Sequence, residues 1–212
     1  MTDTVVDISG YVYEDGELNE SHQYLIPTLL SVLAELSLEP KDRRVFELGC
    51  GNGAVAAVLT QKGYHTTGVD VSTQGLEQAR RRYPYLLLRP GSAYDRLADT
   101  YGRFPVVISL EVVEHLYAPR TFAKTLYDLL EPSGTAIVST PYHGYWKNVA
   151  LALTGRLDAH FTALWDHGHI KFWSVRTLTA LLLEAGFRDI AIVRAGRIPV
   201  LAKSMIAVAR KP

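Results

Sequence analysis

Short apolar runs alternate with segments of helical spacing from residue 44 to residue 140. Continuous apolar runs of this kind are typical of strands that are covered on both faces. They predict five strands, at 45–46, 65–69, 85–89, 106–110 and 135–140. Apolar residues spaced three and four apart predict helices, at 24–36, 54–59, 119–130 and 175–184. The alternation predicts an α/β fold in which helices cover both faces of a parallel sheet.

Polar residues and glycines mark the ends of several elements. Ser21 and Ser174 are expected to cap the first and last helices, and Gly186 to end the last one. Two closing strands are predicted, at 187–193 and 203–209. Residues 142–173 break the alternation with many aromatic and histidine residues, so this segment is predicted to be a lid or a substrate-binding insertion.

No internal repeat, linker or low-complexity segment divides the chain, so residues 1–212 are interpreted as one domain. Residues 1–40 would form an N-terminal helical cap. Several aromatic or amphipathic side chains of this cap are predicted to close over the functional site: Tyr11, Tyr13, His22 and Tyr24.

The composition narrows the classes of function. The chain has 22 Lys and Arg and 22 Asp and Glu, so its net charge is zero, which argues against a strongly electrostatic nucleic-acid binder. The single cysteine, Cys50, excludes an intrachain disulfide and is interpreted as a small packing residue. The sequence shows no signal-peptide pattern and no apolar stretch long enough to cross a bilayer. A cytoplasmic protein, monomeric or homodimeric, is expected.

The most informative motif is a glycine-rich turn between the first strand and the next helix, Glu47-Leu48-Gly49-Cys50-Gly51-Asn52-Gly53. A strand, such a turn and a helix together form a cradle for a nucleotide cofactor. Dinucleotide sites place a pyrophosphate at the helix N-terminus, and Glu47 would repel it because no Lys or Arg lies within the turn. S-adenosylmethionine has no phosphate and carries an ammonium and a sulfonium, which suit a carboxylate. The alternative is a structural turn that binds no ligand.

A second acidic residue, Asp70, ends the second strand, where a carboxylate accepts hydrogen bonds from both ribose hydroxyls of a cofactor. The order of Glu47, the glycines and Asp70 resembles the class I S-adenosylmethionine-dependent methyltransferases, over nearly the whole chain from Arg44 onward. The resemblance implies a Rossmann-like, doubly wound, seven-stranded mixed sheet with an antiparallel C-terminal hairpin and a small insertion after the fifth strand. It also implies a set of cofactor-binding residues: Glu47, Gly49, Cys50, Gly51, Asn52, Gly53, Asp70, Val71, Ser92, Ala93, Leu110 and Glu111.

The loop that would bind adenine departs from the family pattern. Many relatives have an Asp there that accepts a hydrogen bond from the adenine amino group, whereas Ser92 stands in that position here. Asp95 is an alternative partner, and the backbone N–H of Ala93 would donate to the ring.

The segment after the fourth strand, Leu110-Glu111-Val112-Val113-Glu114-His115-Leu116, resembles ubiquinone-type and related small-molecule methyltransferases. Residues at this strand end face the reacting end of the cofactor. In some of these relatives the two acids and the histidine hold a divalent metal. Two carboxylates and one imidazole would leave such a site short of ligands. Packing around a helix start is therefore the favoured interpretation, and no metal is assigned.

The insertion contains four of the seven histidines, between residues 143 and 169. His169 lies in a Gly-His-Ile-Lys-Phe-Trp-Ser run that resembles a recurring family feature, and it is the first candidate for a general base. His143 and His115 are the other candidates, although an isolated histidine is often a satisfied core or surface residue. Five residues of the insertion could instead bind a metal, but their spacing matches no zinc pattern: Asp158, His160, Asp166, His167 and His169.

Together these features predict an enzyme that transfers a methyl group from S-adenosylmethionine to a small-molecule acceptor, with an oxygen nucleophile favoured. A hydroxyl must lose a proton as it is methylated, and a histidine with a pKa near the working pH can accept it. Transfer to nitrogen or carbon, and a catalytically inactive cofactor-binding partner or regulatory subunit, stay open as alternatives. A nucleic-acid methyltransferase is disfavoured, because no Asn/Asp-Pro-Pro-aromatic signature follows the fourth strand and no basic extension is present.

Overall fold

The computed structural model describes residues 17–161, 163–165, 168–198 and 201–212. Within these residues seven strands form one sheet in the order β3-β2-β1-β4-β5-β7-β6. The strands are β1 (Arg44–Leu48), β2 (His65–Asp70), β3 (Leu87–Pro90), β4 (Phe104–Leu110), β5 (Leu130–Pro141), β6 (Arg188–Ala195) and β7 (Ser204–Arg210). The first five are parallel, and β7 runs antiparallel to both β5 and β6. The predicted mixed sheet with an antiparallel C-terminal hairpin is confirmed.

Helices connect the strands and cover both faces of the sheet. They are α1 (His22–Glu35), α2 (Ala54–Gln61), α3 (Thr73–Arg82), α4 (Leu97–Tyr101), α5 (Pro119–Leu129), α6 (Tyr145–Leu153), α7 (Leu157–Phe161) and α8 (Val175–Glu184), with short 3₁₀ turns at Pro40–Asp42 and Val113–His115. Four of these helices match the predicted ones within two residues at each end: α1, α2, α5 and α8. Helices α6 and α7 lie in the segment predicted to be an insertion after β5.

The two predicted helix caps have different outcomes. Ser174 caps α8 as expected: its hydroxyl accepts from the N–H of Thr177, and the Thr177 hydroxyl accepts from the N–H of Ser174 at 3.0 Å. The prediction for Ser21 was wrong, because its side chain makes no capping hydrogen bond to the backbone of α1. The carboxamide oxygen of Asn19 instead accepts from the N–H of His22 at 3.1 Å, so Asn19 binds the free donor at this helix start.

The third strand begins later than its apolar run suggests. Leu86 donates its N–H to the carbonyl of Tyr83 at 3.0 Å, so this part of the run forms a turn. Strand β3 therefore pairs with β2 only from Leu87 onward. Apolar composition alone does not separate a turn that packs against a helix from the strand that follows it.

Two buried layers enclose the sheet. On one face α5 and α8 pack against the strands, with Phe122, Leu126 and Leu178 fully buried. On the other face α1 and α2 supply Leu25 and Leu59. Apolar burial on both sides explains why the central strands are continuous apolar runs. In the part of the chain that the structure describes, no helix is long and apolar enough to span a membrane.

The antiparallel hairpin brings the start of β7 to the functional edge of the sheet. Strand β5 pairs with β4 so that Ser139 lies opposite Leu110, and it pairs with β7 so that Pro141 lies opposite Ser204. The carboxyl ends of β1, β2, β4 and β5 meet at this edge, where open α/β sheets bind their ligands.

Candidate active site

The glycine-rich turn joins β1 to α2 at the centre of this edge. Gly49, Gly51 and Gly53 all have positive φ angles, of 88°, 50° and 75°. A Cβ atom on Gly49 would overlap the Cγ2 of Val112, and one on Gly53 would lie 2.8 Å from a methyl carbon of Leu88. Glycine is therefore required here both by backbone conformation and by close approach.

The end of β2 holds the turn in place. One carboxylate oxygen of Asp70 accepts from the N–H of Gly51 at 2.7 Å, and the other accepts from the N–H of Ser72 at 2.7 Å. The carbonyl of Val69 accepts from the N–H groups of Gly49 and Cys50, at 2.9 and 3.0 Å. The structure thus brings Asp70 against the turn, as a cofactor site formed by both would require. A contact between Asp70 and ribose stays a prediction.

Glu47 is buried beneath the turn, with 2% of its surface exposed. Its Oε2 atom is enclosed and has no hydrogen-bond partner. Burial, followed by the charge of Asp70, holds the pKa of the Glu47 carboxyl well above its usual value. An enclosed carboxylate oxygen without a donor is costly in a folded protein. This atom is therefore suited to accept a hydrogen bond from a bound ligand.

The first described residues run across the turn. The side-chain amide of Asn52 donates to the carbonyl of Glu17 at 2.9 Å, and Glu17 forms an ion pair with Arg82. Asn52 also accepts from the N–H of Ala54 at 3.2 Å. These contacts place the N-terminal segment beside the predicted cofactor site. The predicted lid residues Tyr11 and Tyr13 lie outside the described residues.

The proposed adenine loop is closed by its own acidic residue. Asp95 accepts from the N–H of Ser92 at 2.7 Å, and the hydroxyl of Ser92 accepts from the N–H of Tyr94 at 3.2 Å. Val71 is exposed beside Asp70. The side chains of Ser92 and Asp95 thus stabilise the loop itself, and which group contacts adenine stays a prediction.

Glu111 follows β4 in a conformation that its neighbours impose. Its φ is 54°, in the left-handed region that is uncommon for a residue with a side chain. Its N–H donates to the Oγ of Ser139 at 3.0 Å, and its two carboxylate oxygens accept from the hydroxyls of Ser139, at 2.7 Å, and Ser204, at 3.2 Å. The hydroxyl of Tyr24 lies 3.2 Å from that of Ser204. Burial raises the pKa of Glu111 to about 7.

Glu114 is buried close to Glu111, with 1% of its surface exposed. Neither carboxylate oxygen has a hydrogen bond of normal geometry. Burial and then the charge of Glu111 hold the pKa of Glu114 well above its usual value, although the nearby hydroxyl of Thr140 acts in the opposite direction. The end of the insertion is fastened to this segment, since the carbonyl of Glu114 accepts from the N–H groups of Ile170 and Lys171, both at 3.0 Å. The Trp173 indole N–H donates to the carbonyl of Val113 at 3.3 Å.

Glu114, His115 and His169 converge on one point. One ligand atom from each lies within 4.8 Å of the others. The two imidazole rings are 4.9 Å apart, and a ring nitrogen of His115 lies 3.2 Å from the carbonyl oxygen of Gly168. The buried carboxylate of Glu114 and the two imidazoles are donors that fit a divalent cation. The cluster has three ligands, as the sequence interpretation had, but His169 takes the place of Glu111.

A second group of rings lies in the insertion. His143 stacks on Phe161 at 6.0 Å between ring centroids, and both rings contact Phe172 edge-on, at 5.1 and 4.7 Å. His160 lies 5.4 Å from His143. Burial lowers the pKa of His143 to about 4. Flat, partly enclosed rings of this kind can stack against an organic acceptor.

Comparisons with known proteins decide the family. A family model described as a methyltransferase domain matches residues 19–192. The chain belongs to this methyltransferase family. Its resemblance to class I S-adenosylmethionine-dependent methyltransferases is thereby confirmed, and S-adenosylmethionine is the cofactor of that class.

Among curated relatives, the methyltransferase is similar to two ubiquinone biosynthesis O-methyltransferases. It is 29% identical to that of Idiomarina loihiensis over 190 residues, which cover 84% of this chain and 74% of the relative. It is 34% identical to that of Azorhizobium caulinodans over 163 residues, which cover 71% of this chain and 61% of the relative. The chain thus spans less than two thirds of the second relative's length.

Solved structures share the fold. The methyltransferase domain of bacterial CtHen1 superposes with a TM-score of 0.66 and 24% identity, covering 91% of this chain and all of that one. A SAM-dependent methyltransferase from Archaeoglobus fulgidus gives a TM-score of 0.63 and 16% identity, covering 86% of this chain and 92% of that one.

The structure divides the three histidines predicted as general bases of the methyltransferase into two groups, which the sequence does not reveal. His115 and His169 belong to one cluster with Glu114, and His143 belongs to the neighbouring ring group. Burial lowers the pKa of His169 to about 4, below the near-neutral value that the base hypothesis assumed. His169 is therefore neutral at pH 7 but a weak base.

Sequence reasoning on the methyltransferase missed the residues that hold Glu111. Ser139 and Ser204 are isolated serines in strands, and Tyr24 is predicted from the sequence to belong to the lid. Ser139 reaches Glu111 through the pairing of β4 with β5, and Ser204 through the pairing of β5 with β7. Tyr24 contacts Ser204. A polar residue within an apolar strand run is the signal that could have identified Ser139.

Proposed function

We propose that this methyltransferase transfers the methyl group of S-adenosylmethionine to a hydroxyl of a small-molecule acceptor. The observation that carries the proposal is the cluster of Glu114, His115 and His169 at the carboxyl end of β4. Carboxylates and imidazoles side by side suit an acceptor that must lose a proton, whereas an amine acceptor needs only a neutral lone pair. The O-methyltransferases among its relatives support the same chemistry.

In this proposal the glycine turn binds the cofactor, with Glu47 accepting from its ammonium and Asp70 from its ribose hydroxyls. Transfer is an in-line displacement, in which the sulfonium loses its charge as the acceptor oxygen gains the methyl group. The main work of the protein is to hold the two reactants in line and exclude water. The insertion is fastened over the end of β4 by the hydrogen bonds to Glu114, so it is suited to cover the acceptor.

Two roles for His169 follow from its position. It accepts the acceptor's proton directly, or it joins Glu114 and His115 in holding a divalent cation. A bound cation of that kind would lower the pKa of the acceptor hydroxyl. The low pKa of His169 favours the second role, because a group that is protonated only near pH 4 takes a proton from an unactivated hydroxyl poorly.

The proposal is tested by screening purified protein against quinol, polyketide, sugar and small-amine acceptors and detecting S-adenosylhomocysteine. With an acceptor in hand, His169→Ala should keep its cofactor affinity and lose about 10²–10⁴-fold in turnover. His65→Ala, an exposed residue at the start of β2, is the matched control.

The outcomes separate the roles and the alternatives. A loss that shrinks with rising pH supports the base role, whereas inactivation of the wild type by a chelator and rescue by Mg²⁺ or Mn²⁺ supports the cation role. Wild-type turnover by His169→Ala eliminates both. Methylation of amines alone, or of no acceptor, would favour the N-methyltransferase or the inactive subunit. A cytoplasmic location and a monomeric or homodimeric state stay predictions.

A further inference from the structure

Four cationic side chains lie near Glu111 and Glu114, where the insertion meets the C-terminal hairpin. They are Lys147 of α6, Arg194 of β6, Arg197 of the following loop and Lys203 before β7. Arg194, Arg197 and Lys203 are exposed, and Lys147 is half-buried. None of the four belongs to an ion pair within the described ranges of the chain. We call these four residues the cationic rim.

Contacts around Tyr142, directly after β5, hold the cationic rim together. The ammonium of Lys147 donates to the carbonyl of Tyr142 at 3.0 Å, and the N–H of Tyr142 donates to the carbonyl of Lys203 at 2.9 Å. The Arg194 guanidinium lies 5.0 Å from the centre of the Tyr142 ring. Burial and then the charge of Arg197 lower the pKa of Lys147, and the charge of Glu111 acts in the opposite direction.

The cationic rim adjoins the reacting end of the proposed site. The Lys203 ammonium lies 5.1 Å from the centre of the Tyr24 ring. The Tyr24 hydroxyl lies 3.2 Å from that of Ser204, which donates to Glu111 at 3.2 Å. Three carboxylates act on this region: Glu111, which is buried and bound by two serines, Glu114, which is buried beside it, and Glu20, which is exposed. Four cations therefore face three acids, and the exposed charges at the mouth of the site are mostly positive.

Helix stability does not explain Lys147. It stands in the first turn of α6, where the backbone N–H groups are free and the helix dipole favours an anion over a cation. That turn carries no acidic residue. His143, just before the helix, is 8% exposed, and its Nδ1 is enclosed without a hydrogen-bond partner. A cation placed against the dipole beside a buried polar atom without a partner points to an anionic ligand.

We propose that the cationic rim binds an anionic substituent, a carboxylate or a phosphate, on the methyl acceptor. This inference rests on the proposed function and narrows its substrate class to hydroxylated organic acids or phosphate esters. The acceptor hydroxyl lies at the cluster of Glu114, His115 and His169, and the anion at Lys147. The ring group around His143 lies beside Lys147 and suits the organic part between them.

The test is calorimetry on protein loaded with S-adenosylhomocysteine. The probes are 3,4-dihydroxybenzoate, its neutral amide 3,4-dihydroxybenzamide, and the phosphate ester of 3,4-dihydroxybenzyl alcohol. We expect at least one anionic probe to bind about tenfold or more tightly than the amide, as a charge-assisted hydrogen bond would give. The anionic probe that binds more tightly shows whether the cationic rim prefers a carboxylate or a phosphate. The preference should weaken at high salt, because the rim is partly exposed.

Variants locate the preference. Lys147→Gln should remove most of it and Lys147→Arg should keep it, whereas Lys62→Gln removes an exposed charge far from the site and should change nothing. Equal binding of anions and amide, no binding of either anion, or an unchanged preference in Lys147→Gln would overturn the inference. The same titration measures S-adenosylhomocysteine itself, and failure of that step would instead refute the proposed function.

Discussion

Replacing Glu47 with Gln should stabilise the free protein and weaken cofactor binding. The carboxyl is enclosed, one oxygen has no donor, and burial holds its pKa well above the usual value. A native carboxyl with a raised pKa holds its proton more tightly than the unfolded chain does. Stability is therefore lost as pH rises above the unfolded value of about 4.3. Each unit of upward shift costs about 1.4 kcal/mol at a pH above the native pKa.

The Gln variant has no ionisable group at this position, so its free energy of unfolding does not fall with pH for this reason. Glu47→Gln should match the wild type near pH 4, where both side chains are neutral, and should melt at a higher temperature at pH 8. Binding should change in the opposite direction. The ammonium of S-adenosylmethionine loses its charged partner, a change worth about 1.5–3 kcal/mol, or about tenfold to hundredfold in the dissociation constant.

Thermal unfolding from pH 4 to pH 8 and calorimetry with S-adenosylhomocysteine measure the two effects on the same samples. Glu35→Gln is the control, since Glu35 is exposed on α1. A variant that melts lower than the wild type at pH 8 while binding the cofactor normally would refute the reasoning, because Glu47 would then be a structural group with a donor of its own.

Three further predictions concern the cofactor site. Asp70→Ala should weaken S-adenosylmethionine binding by about 1–3 kcal/mol in calorimetry, with the fold retained by circular dichroism; tight binding of NAD without S-adenosylmethionine binding would contradict the assignment. Gly51→Val should abolish binding, because φ is 50° there and the turn must admit the cofactor; normal binding would make the turn structural only. Deletion of residues 1–20 should raise the cofactor dissociation constant, since Glu17 is bonded to Asn52; an unchanged constant would refute the lid.

The fold was largely predictable because its signals are local. Apolar runs and helical spacing identify most of the strands and four of the helices, since burial on two faces leaves a mark in any short window of sequence. The errors also have local causes. Asn19 and Ser21 are both good cap residues two positions apart, and only the backbone conformation decides which of them binds the N–H of His22.

The site was less predictable because its parts are distant in sequence. The glycine turn and Asp70 lie on neighbouring strands, and their order alone placed them together. The grouping of Glu114 with His169 depends on how the insertion folds back across β4, and the pKa of His169 depends on that packing. No pattern of spacing encodes either property. The rim that includes Lys147 was missed for the same reason, since its members come from separate elements.

The hydrogen bond between Ser204 and Glu111 also affects how the protein is made. The two residues are 93 positions apart, and Tyr24 and Ser204 are 180 apart. Glu111 leaves the ribosome long before β7, which carries Ser204. The growing chain therefore contains the glycine-rich turn before the carboxylate of Glu111 has all its hydrogen-bond partners. Contacts of such long range form late and slow folding. Catalytic competence should therefore appear only after Ser204 has left the ribosome, and partly synthesised chains should bind the cofactor without consuming it.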